Sequence, residues 1–304
     1  MTRFVRLSAV LATAALALPG LAYAGSKEVP RMSSFGGSCP RCELSGRRLA
    51  GAQFIGADFT GAALVGSDLR EAHFMASNFS TADLTKADLT DSELVGAVFK
   101  GSNLTHARLR SSQAKGVVFA GATLTGADLS DSEMVAANFT GAIMPSAVFR
   151  SAELHAANFR GAEGKDTRFD DAGLNSAVLA GRFERASFRS AELNAAVLEG
   201  GSFDGADFKD AEMHHAAIRG VDLSRARNLT QDQVDEACGD AKTRLPNGLS
   251  VHSCGAMVRV IIQQSGAGGW PRAIPAPPVP PVPPAPPPPP TPTRYFMQPL
   301  PFSD

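Results

Sequence analysis

Apolar and polar residues alternate along this chain with a period of five. In "GADFTGAALVGSDLREAHF", residues 56–74, bulky apolar side chains stand at Phe59, Leu64, Leu69 and Phe74, and two places before each stands a small one: Ala57, Ala62, Ser67 and Ala72. A helix repeats its buried face at about 3.6 residues and a strand at 2, so neither element accounts for the interval. The pattern is sustained. At every fifth place from Leu44 to Leu179, only Ala114 and Gly164 lack a bulky apolar side chain. Between Leu179 and Phe183 one residue is lost, after which the interval resumes as far as Leu223.

A longer period gives the geometry. Phe59, Phe79, Phe99, Phe119, Phe139 and Phe159 recur every 20 residues, so four units return the chain to an equivalent place. A second column, Phe149, Phe169, Phe188 and Phe208, crosses the short step. Self-similarity of this kind marks a solenoid, in which each coil buries its inner face on the next. Each unit is then one side of a four-sided coil, the large residue filling the interior and the small one leaving space for it. The residue before each large one is often Asp, Asn or Glu, and it faces water together with the two that follow. Coils that pair like parallel strands stack at about 4.8 Å, predicting a rod of about nine coils and roughly 45 Å. Ala114 and Gly164 predict under-filled slots in its interior.

The units "ADFTG", "ADLTK", "ADLTD", "SNLTH", "ADLSD", "ANFTG" and "ANFRG" resemble the pentapeptide-repeat family, whose motif is A-(D/N)-L/F-x-x. The resemblance implies an all-β fold, a right-handed quadrilateral β-helix, over residues 42–228. It constrains function weakly, because one fold hosts many roles.

The two ends of the chain do not share the repeat. Residues 1–24, "MTRFVRLSAVLATAALALPGLAYA", have Arg3 and Arg6, an apolar run from Leu7 to Leu18, and Ala22-Tyr23-Ala24. That order predicts a signal peptide cleaved after Ala24, with a run too short for a stable membrane anchor. Residues 25–41 are then a lead-in. No further stretch has transmembrane length, and the expected location is periplasmic or secreted. Residues 256–304 end in a proline-dominated segment expected to be a disordered tail with polyproline II character, roughly 70 Å long over residues 271–293 at about 3.1 Å per residue. Between rod and tail, residues 229–255 predict a C-terminal cap. Thr230 and Gln233 form a capping box, Val234 and Ala237 share a face, and Gly239 is placed to end a short helix lying across the last coil.

Charge and cysteine content narrow the chemistry. The net formal charge is −1, and residues 43–228 carry 19 Lys or Arg against 24 Asp or Glu, a field too weak to argue for nucleic acid as partner. Four cysteines in an exported chain point to disulfides. Cys238 and Cys254 flank the cap and are expected to pair; Cys39 and Cys42, in a C-P-R-C stretch, form a close pair before the first coil. The repeats that follow are not the α/β context in which such a motif does redox work. The rod also holds the two pairs too far apart for a shared zinc. His73, His106, His155, His214, His215 and His252 show no metal-binding spacing, so neither a metal nor a cofactor is expected.

Glu93, Glu133, Glu153, Glu192 and Glu212 occupy one slot in successive or alternate coils, with Gln113 and Gly173 between them. They predict a broken acidic stripe, offset in part by the neighbouring Arg150, Arg189 and Lys209. Such a stripe is either a solvated face with local ion pairs or a recognition surface.

No nucleophile, base and oxyanion site assembles from residues that stand apart from the repeat. The expected function is an exported, non-catalytic scaffold or protein-binding module of a bacterial cell envelope. Its partner would be an envelope protein or cell-wall component, and a homodimer is compatible with the fold. The alternative is a DNA-mimicking, gyrase-binding protein, since the family includes such members; export and weak charge both oppose it.

Overall fold

The computed structural model describes residues 33–35 and 39–251. The segment 1–24 predicted as a signal peptide, Cys254 and the predicted Pro-rich tail 256–304 lie outside the described residues. The chain divides into two units, Met1–Arg259 and Val260–Asp304, and everything described belongs to the first.

The repeat is closed by hydrogen bonds, and each of the five N–H groups in a unit has a fixed destination. In the unit around Phe59, the Phe59 N–H donates to Asn78 O at 2.7 Å and the Gly61 N–H to Ser80 O at 2.9 Å, both in the next coil. The Ala62 N–H closes a turn on Phe59 O at 3.0 Å, and the Ala63 N–H reaches back to Cys42 O at 2.8 Å. The remaining donor, Thr60 N–H, is taken by Asp58 Oδ1 at 2.9 Å. The motif's Asp or Asn is thereby explained: its short side chain supplies the acceptor that neither neighbouring coil provides. Asp83, Asp88, Asn103, Asp128 and Asn138 do the same for Thr85, Thr90, Thr105, Ser130 and Thr140. The last residue of each turn takes φ near +60°, as Gly51, Asp91 and Asp131 do.

Parallel bridges join residues 20 apart on all four sides, from Glu43↔Ala63 onward. The lead-in contributes to this ladder: β1 (Ser33–Phe35) pairs in parallel with β2 (Gln53–Ile55), one coil below the repeat. The interior is dry. From Leu64 to Leu223 every large inward residue is at most 1% exposed. Serine in the small slot is buried with its hydroxyl bonded to the chain, as where Ser92 donates to Leu89 O at 2.7 Å. The Phe59–Phe159 column stacks at ring distances of 4.9, 4.9, 5.1, 5.2 and 4.7 Å, and the Phe149–Phe208 column at 5.1, 5.1 and 5.2 Å.

One expectation about the interior changes. Gly164 is not an empty slot. The bridge Glu163↔Arg182 shows the offset falling to 19 after the lost residue, and this sets Phe183 over Gly164, where an added Cβ would lie 2.7 Å from Phe183 Cδ1. Ala114 is fully closed from solvent in the column between Leu94 and Met134.

The cap also differs from expectation. Helix α1 (Gln231–Glu236) has Thr230 as N-cap with the reciprocal capping box to Gln233, and Val234 and Ala237 are buried. It does not lie across the last coil but takes a place within it. The ladder continues on either side of it, through Asp207↔Arg227 before and Ala217↔Cys238 and Asp222↔Arg244 after, so α1 replaces one side of a last coil. Gln233 Nε2 donates to Phe208 O at 2.8 Å and Ala211 O at 2.7 Å, serving carbonyls on the coil below. Nor does Gly239 end the helix, which stops at Glu236 with Ala237 extended at φ −86°. Gly239 instead gives room for Val251, whose Cγ2 would collide with a Cβ there.

Candidate interaction surface

The ladder places the predicted acidic residues in one row: the bridges run His73↔Glu93↔Gln113↔Glu133↔Glu153↔Gly173↔Glu192↔Glu212. The rigid backbone fixes the spacing, so what differs from coil to coil is the residue two places later. That residue sits diagonally below the next Glu and decides its partner. Lys115 Nζ lies 2.6 Å from Glu133, and this hydrogen bond with the carboxylate, joined by its charge, raises the Lys115 pKa. Asn175 and Asn194 donate to Glu192 and Glu212 at 2.8 and 3.1 Å. Glu93 meets His73 Nδ1 at 2.6 Å. At Glu153 the diagonal residue is Val135, which has nothing to donate, and among the described residues Glu153 forms no ion pair. The gap at Gly173 is covered by His155, whose Cε1 would lie 2.7 Å from a Cβ there.

Arg150, Arg189 and Lys209 do not pair with the glutamates of this row. They belong to the preceding side of the coil and pair with Asp170 at 3.7 Å, Asp207 at 2.7 Å and Asp210 at 3.9 Å. Burial pushes the Asp207 carboxyl up, but hydrogen bonds from Asn228 and Arg189 outweigh it and hold the group below the ordinary carboxylate range. A second acidic row was not anticipated from the sequence. Asp91, Asp131 and Asp210 stand at turn positions two residues before Glu93, Glu133 and Glu212, so the acidic band is two residues wide at those coils. Reading the turn position as a column of its own would have found it.

A further depression of about 760 Å³ opens on another side, next to the shortened step, lined by Glu163, Lys165, Arg182, Glu184, Asp204 and Arg225 among others. Several of its charges are paired with one another, Arg182 bonded to Glu163 and Arg225 to Asp204 at 3.0 Å. His155 and His214 stand apart, and among the described residues no group of His, Cys, Asp and Glu is arranged to hold a metal ion. Cys39 and Cys42 are joined, their Cα atoms 5.5 Å apart, and Cys39 packs against the interior. Cys238 is disulfide-bonded as well; its expected partner Cys254 lies outside the described residues. No helix among the described residues is long and apolar enough to cross a membrane.

A four-sided solenoid with polar outer rows held on a regular ladder is the architecture of a scaffold or binding module. The chain belongs to the pentapeptide-repeat family: the family described as Pentapeptide repeats matches in 8 copies over residues 41–75, 52–91, 92–131, 132–163 and 183–225. The break between 163 and 183 coincides with Gly164 and the lost residue. The fold is accordingly the right-handed quadrilateral β-helix of that family. Among solved structures the chain is similar to HetL, a pentapeptide repeat protein involved in heterocyst differentiation regulation from the cyanobacterium Nostoc sp. strain PCC 7120. The identity is 25%, with 70% of this chain and 92% of HetL covered and a TM-score of 0.58. Full-length QnrB1, a plasmid-mediated fluoroquinolone resistance protein, matches at 18% identity over 77% of this chain and 99% of its own, with a TM-score of 0.38. No curated protein matches the chain.

Proposed function

We propose that this protein is an exported, non-catalytic β-helical binding scaffold of a bacterial cell envelope, with the Pro-rich tail extending its reach toward an envelope protein or cell-wall component. The observation that carries the reading is the continuous ladder from Glu43 to Arg244. It commits the backbone donors and the small and large residues of each unit to holding the coil, and leaves only short outward rows for recognition. The arginines at Arg3 and Arg6, the apolar run and the Ala22-Tyr23-Ala24 site support export, and two disulfides suit an oxidising compartment.

The test is fractionation of cells followed by N-terminal sequencing and capture. The protein should be recovered from the envelope fraction starting at Gly25, and immobilised mature protein should retain a partner from envelope extract. An intact chain in the cytoplasm that captures a cytoplasmic topoisomerase overturns the proposal.

A further inference from the structure

The asparagines of the rod are tied down at both atoms that could react with each other. At Asn78, Asn103, Asn138, Asn158, Asn175 and Asn194 the side-chain Oδ1 accepts a backbone N–H. The N–H of the residue that follows each is donated to a carbonyl of the next coil, as from Phe79 to Val98 O and from Ala195 to His214 O, both at 2.7 Å. Asn228 gives its Nδ2 to Asp207 at 2.8 Å and is followed by Leu229, which packs against the interior. In none of them can the following nitrogen swing onto the side-chain amide carbon without breaking the ladder or the packing.

Asn247, in the cap, is held differently. It and Gly248 are exposed, and among the described residues its side chain makes no hydrogen bond and the Gly248 N–H has no acceptor. The two form the middle of the turn Pro246–Leu249, closed by the Leu249 N–H on Pro246 O at 3.2 Å. Gly248 takes φ +90°, as the third place of a type II turn requires. Apart from its chain neighbours, nothing lies within 4 Å of where its Cβ would stand. Glycine puts no side chain beside the attacking nitrogen, so this is the one Asn among the described residues with an unhindered, uncommitted nitrogen next to an untethered amide.

The turn also sets where the closing segment meets the cap. Just beyond it, the Ser250 N–H donates to Gln231 Oε1 at 3.0 Å and Ser250 O accepts from Gln231 Nε2 at 2.9 Å. Gln231 is the first residue of α1. Val251 then packs on Gly239, where its Cγ2 leaves no room for a Cβ. A change of main-chain length at Asn247, three residues before Ser250, displaces both contacts.

We propose that Asn247 is a self-modification site that converts with age to a mixture of aspartate and isoaspartate and thereby loosens the cap. The Gly248 nitrogen bonds to Asn247 Cγ as the Cγ–Nδ2 bond breaks, and ammonia leaves with the proton that the Gly248 N–H gives up through solvent. Water then opens the cyclic imide. Opening at Cγ gives aspartate; opening at the main-chain carbonyl reroutes the chain through Cβ as isoaspartate, one carbon longer. Either product carries a carboxylate in place of the amide, and the only co-reactant is water. The inference does not rest on the envelope reading and goes beyond it.

Timed incubation of the purified full chain at neutral and mildly alkaline pH tests it, with peptide mapping by mass spectrometry, isoaspartate counted by enzymatic methylation, and hydrogen exchange followed at the cap. Asn247 should convert while the asparagines of the rod stay amides, at a rate that rises with pH and approaches that of the same site in the denatured chain. The aged protein should exchange faster than the fresh one at Ser250, Val251 and α1, with the rest of the rod unchanged. Asn247→Gln should abolish both effects, because its longer side chain would have to close a larger ring, which forms far more slowly; an unchanged melting curve of the fresh variant is the folding control. An Asn247 that stays an amide in the folded chain while the denatured chain converts, rod asparagines that convert as fast as Asn247, or aged protein whose cap exchanges like the fresh one overturns the proposal.

Discussion

The ring of Phe183 occupies the space that a side chain on Gly164 would need, a Cβ there lying 2.7 Å from Phe183 Cδ1. The glycine and the lost residue before Phe183 are therefore one adjustment, and the shorter step is accommodated by omitting a side chain one coil below. Gly181 completes it, since a Cβ there would lie 2.6 Å from Ala162 O.

Replacing Gly164 by Leu, the residue its column favours, should therefore overpack the interior and cost on the order of 1–3 kcal/mol. Gly164→Ala combined with Phe183→Leu should cost less than the two changes summed, because the pair shares one volume. Equilibrium denaturation of the four proteins measures this. A stabilising Gly164→Leu would mean the slot is empty after all.

Acid sensitivity follows from the aspartates that close the turns. Hydrogen bonds from Thr60, Arg70 and Ser224 hold the carboxyls of Asp58, Asp68 and Asp222 below their ordinary pKa. A depressed folded-state pKa contributes stability that is full above the unfolded value of about 3.9 and is lost as pH falls through the folded values. The denaturation midpoint should hold near neutrality and fall below about pH 4. Changing all three to Asn, the residue that performs the same task at Asn78 and Asn138, should keep the turns and flatten the decline. An equally steep decline in the triple variant would place the acid sensitivity elsewhere.

How much of this was legible in the sequence depends on the range of each interaction. The five-residue period, the Phe columns and the Thr230–Gln233 capping box are set by residues at fixed separations, and all appear in the structure where the spacing puts them. Gly164 was read as an empty slot because its column shows only that a side chain is missing. What fills the space depends on a shift in register one coil later. The expectation that Arg150, Arg189 and Lys209 offset part of the glutamate row rests on closeness in sequence, whereas the structure pairs them with Asp170, Asp207 and Asp210. Gly239 looked like a helix terminator by position, but the close approach of Val251 is a contact between segments that sequence distance does not reveal. The carboxylates at the turns were seen as solvent-facing, and their second task, accepting an N–H two residues on, needed the backbone path.

The cap supplies a covalent test. Cys238 lies two residues beyond the end of α1, and its carbonyl accepts from Ile218 N at 2.9 Å, which fixes it to the end of the ladder. Non-reducing peptide mapping of the protein should link it to Cys254. Breaking the bond with Cys238→Ser should cost a few kcal/mol, about what closing a 15-residue loop contributes. The loss should appear first as faster hydrogen exchange at the last coil, because coils contact only their neighbours. Free thiols at both positions would leave the cap held by its ladder bonds and by the packing of Val234 and Val251, without a covalent tie.

The acidic row and the tail make opposite predictions about partner capture. Glu133 and Glu192 are engaged by Lys115 and Asn175, and Glu153 stands beside Val135. Changing all three to Gln should therefore leave stability nearly unchanged, since exposed ion pairs contribute about 0–1 kcal/mol each. If the row is a solvated face, partner capture by the triple variant should match the wild type at every salt concentration. A recognition surface behaves differently: charges aligned on a rigid ladder act together on a basic partner, so removing three should weaken capture and flatten its salt dependence. The local pairing favours the first outcome, and deletion of the chain after Trp270 should weaken capture more than the triple change. A triple variant that loses the partner while the truncated chain keeps it would move recognition from the tail to the rod, and would make Glu153, which has neither an ion pair nor a side-chain hydrogen bond among the described residues, the first residue to test alone.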